Sequence, residues 1–256
     1  MSKLAKENKF LDFSDYGRPI ANIIAKGFEN KKVTPIHVTW MFVCAAAIAI
    51  YCIFQEKYGI AAFFLILKSI IDGADGELAR LKKTPSYTGR YFDSNSDFVI
   101  NLVLFLVLAK ITNTSYLLAL IAFFCCQLQG TLYNFYYVIL RSRKANSDTT
   151  SRVFERDIPQ ALPGENQKMV NFLFSLYRML YGPFDWIIYK VDKSAAKVKN
   201  MPKWFMMFVS ILGLGFQLLI MAILLATHNK EFIIPVFIVY SFFVPFFIGV
   251  RKVFIS

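Results

Sequence analysis

The chain carries, at residues 72–80, the segment Asp72-Gly73-Ala74-Asp75-Gly76-Glu77-Leu78-Ala79-Arg80, which lies between long apolar runs. The polar pattern continues to Gly89, Asp93 and Asp97. A charged side chain at membrane depth costs on the order of a few kcal/mol or more, so such residues usually serve a function. The rest of the chain is therefore interpreted around these four aspartates.

Helical spacing places the four aspartates close together. Asp72 and Asp75 are three residues apart, and Asp93 and Asp97 are four apart, so the members of each pair share one face of a helix. If residues 81–88 form the loop of an antiparallel hairpin, Asp72 lies level with Asp97 and Asp75 with Asp93. We therefore expect four carboxylates in one small volume.

Four converging carboxylates repel one another and require cations. Hard divalent ions with oxygen ligands meet that requirement, and paired ions recur in phosphoryl chemistry. Arg80 adds a fixed cation suited to a phosphate. The alternative without a function is a polar helix pair whose carboxylates are balanced by nearby Lys and Arg.

The stretch closely resembles the class I signature of the CDP-alcohol phosphotransferase (CDP-alcohol phosphatidyltransferase) family, D-x2-D-G-x2-A-R-x8-G-x3-D-x3-D. Every fixed position is met: Asp72, Asp75, Gly76, Ala79, Arg80, Gly89, Asp93 and Asp97. The resemblance implies transfer of a substituted phosphate from a CDP-alcohol to an acceptor alcohol, with release of CMP, in phospholipid or polar-lipid biosynthesis. It also implies a homodimer.

The resemblance further implies a role for each motif residue. Asp72, Asp75 and Asp93 would bind two divalent ions, Mg²⁺ or Mn²⁺, and Asp97 would add a metal ligand, act as general base on the acceptor hydroxyl, or do both. The residues expected to contact the CDP moiety are Gly76, Ala79, Arg80 and Gly89, with Thr34 and Pro35 from the entry to the first span. Three residues match the family's T-P-N-x-x-T motif, namely Thr34, Pro35 and Thr39, whereas Ile36 replaces the Asn of that motif.

Composition indicates an all-α integral membrane protein. Of 256 residues, 56% are hydrophobic, and the mean hydropathy is +0.46, which is too apolar for an ordinary soluble domain. The net charge of +12 favours contact with anionic lipid and not with nucleic acid. The four cysteines lie in apolar runs without a C-x2-C pair, so we expect packing residues and no zinc site.

We expect a single membrane domain over residues 1–256 with six transmembrane helices. An interfacial amphipathic helix over 14–31, with Ser14 as its N-cap, precedes spans 1–4 at 38–140, which contain the active site. The spans are predicted at about 38–54, 58–81, 89–111, 116–140, 204–226 and 232–250, the last two within 201–252. A loop with two interfacial helices, broken at Gly182-Pro183, fills 141–200.

Four basic residues leave more than one interpretation open. Arg141, Arg143 and Arg152 are candidate contacts for a phosphorylated acceptor, or they reflect the positive charge of a cytoplasmic loop. Lys68, one turn before Asp72, pairs with that carboxylate and replaces part of the metal charge, forms a structural ion pair, or snorkels.

Charge bias predicts the orientation. Of 29 Lys and Arg residues, only Lys57, Lys110 and Lys230 fall on one side, and Lys68 is inside a span. The other 25 share a side with the termini and the motif, which we therefore expect to face the cytoplasm.

Two other functions compete with phosphotransfer. A membrane prenyltransferase also binds a diphosphate through magnesium, but it predicts more spans and a second acidic cluster. A cation transporter predicts acidic residues across the whole bilayer, whereas these occupy half of two helices. The donor and acceptor stay open among CDP-diacylglycerol with a polar acceptor, a CDP-linked head group with a lipid acceptor, and CDP-inositol with an inositol phosphate.

Overall fold

The computed structural model describes residues 9–142, 155, 157–198 and 201–255, and all regular secondary structure within them is helical. This confirms the all-α prediction. The helices are α1 (Arg18–Glu29), α2 (Pro35–Phe54), α3 (Tyr58–Leu81), α4 (Tyr87–Ile111), α5 (Tyr116–Ser142), α6 (Gln167–Val191), α7 (Lys203–Val209), α8 (Leu214–Ala226), α9 (Ile233–Tyr240) and α10 (Phe243–Phe254).

Several of these helices can cross a membrane. Within the described residues, four stretches are long and apolar enough: Pro35–Phe54, Tyr87–Ile111, Tyr116–Arg141 and Lys230–Phe254. The segments Lys203–Leu212 and Leu214–Ala226, bent by 49°, add a fifth if they form one span. The protein is therefore an integral multi-pass membrane protein.

Helix α3 packs against α1, α2 and α8. Its interface with α2 contains buried alanines on both helices, because small side chains let two backbones approach closely. With 24 residues it is long enough to span, but Lys68, Asp72 and Asp75 interrupt its apolar run. Its neighbours fix the position of these polar groups.

The predicted start of the N-terminal helix was wrong. The α-helix covers Arg18–Glu29, with Pro19 in its first turn, where the missing N–H costs nothing. Ser14 lies instead in a 3-10 turn, Phe13–Asp15, and its N–H donates to the Asp12 carboxylate over 3.0 Å. Because Ser14 belongs to this separate turn, where it bonds to Asp12, Ser14 does not cap α1.

Helix α1 buries small residues on one side and exposes large apolar residues on the other. Ala21 and Ala25 are buried, and α1 packs on α3. Ile20 and Ile23 are 52% and 70% exposed. A helix attached through small residues, with its large apolar side chains outward, is suited to the membrane interface.

The predicted break at Gly182-Pro183 was also wrong, since α6 continues through Pro183 from Gln167 to Val191. A proline inside a helix removes one hydrogen bond and crowds the preceding turn. Packing on α4 holds both sides in place: Tyr181 and Phe184 lie 5.3 and 6.1 Å from the Phe98 ring. These contacts offset the local cost.

The predicted fifth span is interrupted between α7 and α8 at Gly213. The N-terminal turn fills that interruption, because the Phe13 N–H donates to the Ser210 hydroxyl over 2.9 Å. A Cβ on Gly215 would lie 1.9 Å from the Ser14 carbonyl oxygen. Glycine is thus required where the N-terminal turn meets the bent pair.

Candidate active site

Three carboxylates of the α3–α4 hairpin form a single group. Asp72, Asp75 and Asp93 each offer one oxygen, and these oxygens all lie within 4.8 Å of one another. Asp75 is buried, whereas Asp72 and Asp93 are partly exposed. The group is therefore accessible from one side and supported by protein on the other.

The helix ends explain why the group forms. Helix α3 ends at Leu81 and α4 begins at Tyr87. Asp75 lies six residues before the first end and Asp93 six residues after the second, so each is about 9 Å from its helix end. Matched depths across the hairpin bring the two carboxylates together, as the spacing predicted.

Hydrogen bonding in the group leaves room for a cation. The Thr39 hydroxyl of α2 donates to Asp75 Oδ2 over 2.8 Å. Asp93 Oδ1 is buried with no hydrogen-bond donor among the described residues. A buried carboxylate oxygen without a donor is costly unless something else neutralises it. An all-oxygen donor set of three carboxylates fits a hard divalent cation.

Asp97, the fourth predicted carboxylate, is not a member of that group and contacts Lys68. It is buried, and its Oδ1 accepts a hydrogen bond from Lys68 Nζ. The same ammonium lies 3.8 Å from Asp72 Oδ2. Lys68 is 0% exposed, so the interpretation that it snorkels was wrong. The roles of Asp97 as base and metal ligand stay predictions.

Arg80 is held in place by a residue that sequence reasoning missed. Glu77 Oε2 accepts from Arg80 Nη2 at 2.6 Å and from Arg80 Nε at 3.2 Å. Arg80 Nη1 lies 3.6 Å from where a Cβ on Gly76 would be. Glu77 also lies 3.7 Å from Arg18 of α1. The i, i+3 spacing of Glu77 and Arg80 was the available signal.

Of the remaining predicted CDP contacts, Thr34, Pro35 and Gly89 lie at helix N-termini, and Ala79 lies in the last turn of α3. Thr34 caps α2, since its hydroxyl accepts from the His37 N–H, and Pro35 occupies the first turn. Gly89 donates its N–H to the Ser86 hydroxyl, which caps α4. Ala79, one residue before Arg80, is partly exposed. The N–H groups of Thr34 and Gly89 are donated to His37 Nδ1 and Ser86 Oγ, and Pro35 has none, so the assignment of these positions to the CDP moiety stays a prediction.

A second carboxylate fixes the start of α4. Glu165 accepts from the Ser86 hydroxyl at 2.7 Å, from the Thr88 N–H at 2.8 Å and from the Leu162 N–H at 3.1 Å. Burial alone would raise the pKa of Glu165, but these hydrogen bonds hold it below its ordinary value. The segment before α6 is thus attached to the helix that carries Asp93.

The predicted acceptor contacts are described only in part. Arg141 is partly exposed and lies close enough to Arg80 and Arg90 for their charges to interact. Arg90, which sequence reasoning missed, pairs with Glu155 and lies over the Tyr91 ring. The two other predicted contacts, Arg143 and Arg152, lie outside the described residues.

Comparison with known proteins agrees with this geometry. A model of the CDP-alcohol phosphatidyltransferase family matches residues 32–240. The chain belongs to this family. The match includes the whole hairpin and the three-carboxylate group, so the chain is a CDP-alcohol phosphatidyltransferase family enzyme. The family implies CDP-alcohol phosphotransfer with a divalent metal, and the carboxylates fit such an ion. No curated protein matched the sequence.

Proposed function

We propose that the protein transfers a substituted phosphate from a CDP-alcohol to an acceptor alcohol and releases CMP, in the synthesis of a phospholipid or related polar lipid. The observation that carries the proposal is the three-carboxylate group beside an oriented arginine. Such a pairing suits a diphosphate, which needs both metal ligands and a fixed donor. The family match supports the same reaction class.

The metal ligands would be Asp72, Asp75 and Asp93; of the two roles predicted for Asp97, metal ligand and general base, we assign it the second. Bound Mg²⁺ or Mn²⁺ supplies charge neutralisation for the diphosphate and for the departing CMP. Arg80 keeps Nη1 free of the two hydrogen bonds to Glu77, and we assign that N–H to a phosphate oxygen of the donor.

The proton of the acceptor hydroxyl is assigned to Asp97. Its Oδ1 is held by Lys68, and Oδ2 is the atom that would accept the proton. The acceptor oxygen then bonds to the β-phosphorus as the bond to the oxygen shared with CMP breaks, without a covalent enzyme intermediate. General-base assistance of this kind is worth roughly 10²–10⁴ in rate.

The membrane arrangement that accompanies this proposal has six spans. Besides the four spans and the bent pair, we count α3 as a span. Its charged residues belong to the site, and neighbouring helices enclose it. The bias of Lys and Arg supports an active site and termini at the cytoplasmic face. A homodimer remains a prediction from the family resemblance.

The substrates belong to the same proposal. Arg141 near Arg80 and Arg90 supports an anionic group on the acceptor, and Arg143 and Arg152 would extend this basic region. At least one substrate is expected to be a lipid, since the site lies at the end of membrane helices. Gly76, Ala79, Gly89, Thr34 and Pro35 are assigned to the CDP moiety.

The test is CMP release by the purified full-length protein in lipid nanodiscs, with a panel of CDP-alcohols and acceptors and with Mg²⁺ or Mn²⁺. We expect release with at least one donor–acceptor pair, and none in EDTA. Asp93→Asn should abolish it, whereas Glu231→Gln, an exposed acid far from the motif in sequence, should not. Full turnover in metal-free buffer, or with Asp93→Asn, would contradict the proposal.

A further inference from the structure

Lys68 places a permanent cation inside the acidic hairpin. It is completely buried in α3, one turn before Asp72. Its Nζ contacts Asp97, lies 3.8 Å from Asp72 Oδ2 and sits 4.9 Å from the centre of the Phe42 ring of α2. The acidic hairpin therefore has an internal positive charge besides any metal.

This ion pair is expected to persist when the site is loaded. A buried ammonium that loses its carboxylate is strongly destabilising, because its desolvation is no longer compensated. Lys68 has a carboxylate on each side, in Asp97 and Asp72, and an aromatic face in Phe42. An ion binding to Asp97 through Oδ1 would have to displace Lys68 from its nearest partner.

Helix depth shows why Lys68 reaches Asp97. Asp97 lies ten residues after the start of α4, about 15 Å along the helix, and Lys68 lies 13 residues before the end of α3, about 20 Å along it. Lys68 is thus roughly 5 Å deeper. Lysine side chains commonly extend along apolar surface to place the ammonium away from their own Cα.

Charge balance distinguishes one bound ion from two. The four aspartates and Lys68 together carry a formal charge of three minus. One divalent ion leaves one negative charge, whereas two ions leave one positive charge before any substrate phosphate is present. The second ion therefore lacks a compensating ligand until a diphosphate arrives.

We propose that Lys68 is a positioning residue that holds Asp97 outside the metal-ligand group, so that Asp72, Asp75 and Asp93 alone bind one divalent ion tightly before the donor is bound. The inference rests on the proposed function for the identity of the site. A second ion then binds only together with the diphosphate of the donor. Asp97 keeps Oδ2 for the acceptor hydroxyl.

The experiment is a Mn²⁺ titration of the full-length protein in nanodiscs without donor, followed by electron paramagnetic resonance of free Mn²⁺. We expect one tight site in the wild type. Asp97→Asn should change its affinity less than threefold, while Asp93→Asn should weaken it at least thirtyfold. Two tight sites in the wild type, or equal losses in both variants, would overturn the inference.

Variants of Lys68 test its role directly. Lys68→Met keeps the length of the side chain and removes the charge, which frees Asp97, so a second Mn²⁺ should bind without donor. Because Asp97 is then left buried and unpaired, Lys68→Met combined with Asp97→Asn serves as a folding control and should retain one site. If Lys68→Met folds and still binds one Mn²⁺, the inference fails.

Two further measurements, the kinetics of Asp97→Asn and the metal stoichiometry, test this inference separately from the proposed function. Asp97→Asn should lower kcat at least a hundredfold with little change in the KM for the donor, a split that a merely structural role would not give. Metal stoichiometry needs no turnover. If Asp97→Asn still binds one ion tightly, the inference is supported even if no CDP-alcohol proves to be a substrate. If the wild type releases CMP but Asp97→Asn no longer binds the tight ion, the inference is refuted while the proposed function stands.

Discussion

Thr39→Val should weaken metal binding without changing the metal ligands. The Thr39 hydroxyl lies 2.8 Å from Asp75 Oδ2 and 3.2 Å from the Pro35 carbonyl oxygen. Its single hydrogen can serve only one acceptor, and the carboxylate is nearer and charged. Valine keeps the branched shape in a site that is 2% exposed, so the change removes the donor and leaves no large cavity.

The magnitude follows from two independent considerations. A hydrogen bond to a charged group contributes about 1.5–3 kcal/mol. Loss of a group that orients a metal ligand typically lowers metal affinity about 10- to 100-fold, and this factor corresponds to about 1.4–2.8 kcal/mol. We therefore expect the Kd for Mn²⁺ to rise about 10- to 100-fold.

The assay is a Mn²⁺ binding isotherm together with the Mn²⁺ concentration that gives half-maximal CMP release. Thr39→Ser keeps the hydroxyl and should remain within threefold of the wild type. Thr112→Val removes a comparable hydroxyl, bonded to the Leu108 carbonyl at the other end of α4, and should have no effect on metal. A Kd for Thr39→Val within twofold of the wild type would refute the view that Thr39 orients Asp75.

Three other predictions concern the arginine, the orientation and the loop before α6. Glu77→Gln should raise the KM for the donor severalfold because Arg80 loses its fixed orientation, and Arg80→Ala should raise it further; equal KM values in all three proteins would contradict this role. A cysteine replacing Lys83 should react with an impermeant thiol reagent from the cytoplasm, and one replacing Asn113 from outside; the reverse pattern would overturn the orientation. Because the pKa of Glu165 is lowered in the folded state, its carboxylate contributes stability above the pKa of the unfolded state, and this stability is lost as the pH falls through the pKa of the folded state. The difference in Tm between wild type and Glu165→Gln should therefore shrink from about pH 6 to about pH 4. A difference that does not change with pH would exclude this contribution.

Spacing was sufficient to predict the helices of the acidic hairpin. The pairs Asp72 and Asp75, and Asp93 and Asp97, were assigned to facing helices from periodicity, and three of the four carboxylates form one group. That inference succeeds because helix rise is constant and the loop is short. Helix positions thus follow from the sequence wherever local geometry alone decides them.

Side-chain partners and helix breaks were less predictable. Lys68 pairs with Asp72 one turn away, as the spacing predicted, but it also pairs with Asp97 across the hairpin, a partner that the sequence did not indicate. Helix α6 passes through Pro183 because rings on α4 support both sides, and no local signal reports such support. At Lys68 a tertiary contact adds to the local pairing, and at Pro183 tertiary contacts override the local preference.

The contact between Phe13 and Ser210 has a consequence for how the protein is made. The two residues are 197 positions apart, and Gly215 packs against Ser14 beside them. At about 5–20 residues per second, synthesis reaches Ser210 roughly 10–40 s after Phe13 has been added to the chain. Until then the turn lacks its hydrogen-bond partner. The turn at Phe13–Asp15 therefore takes its final place late, after the hairpin that carries the carboxylates has been synthesised.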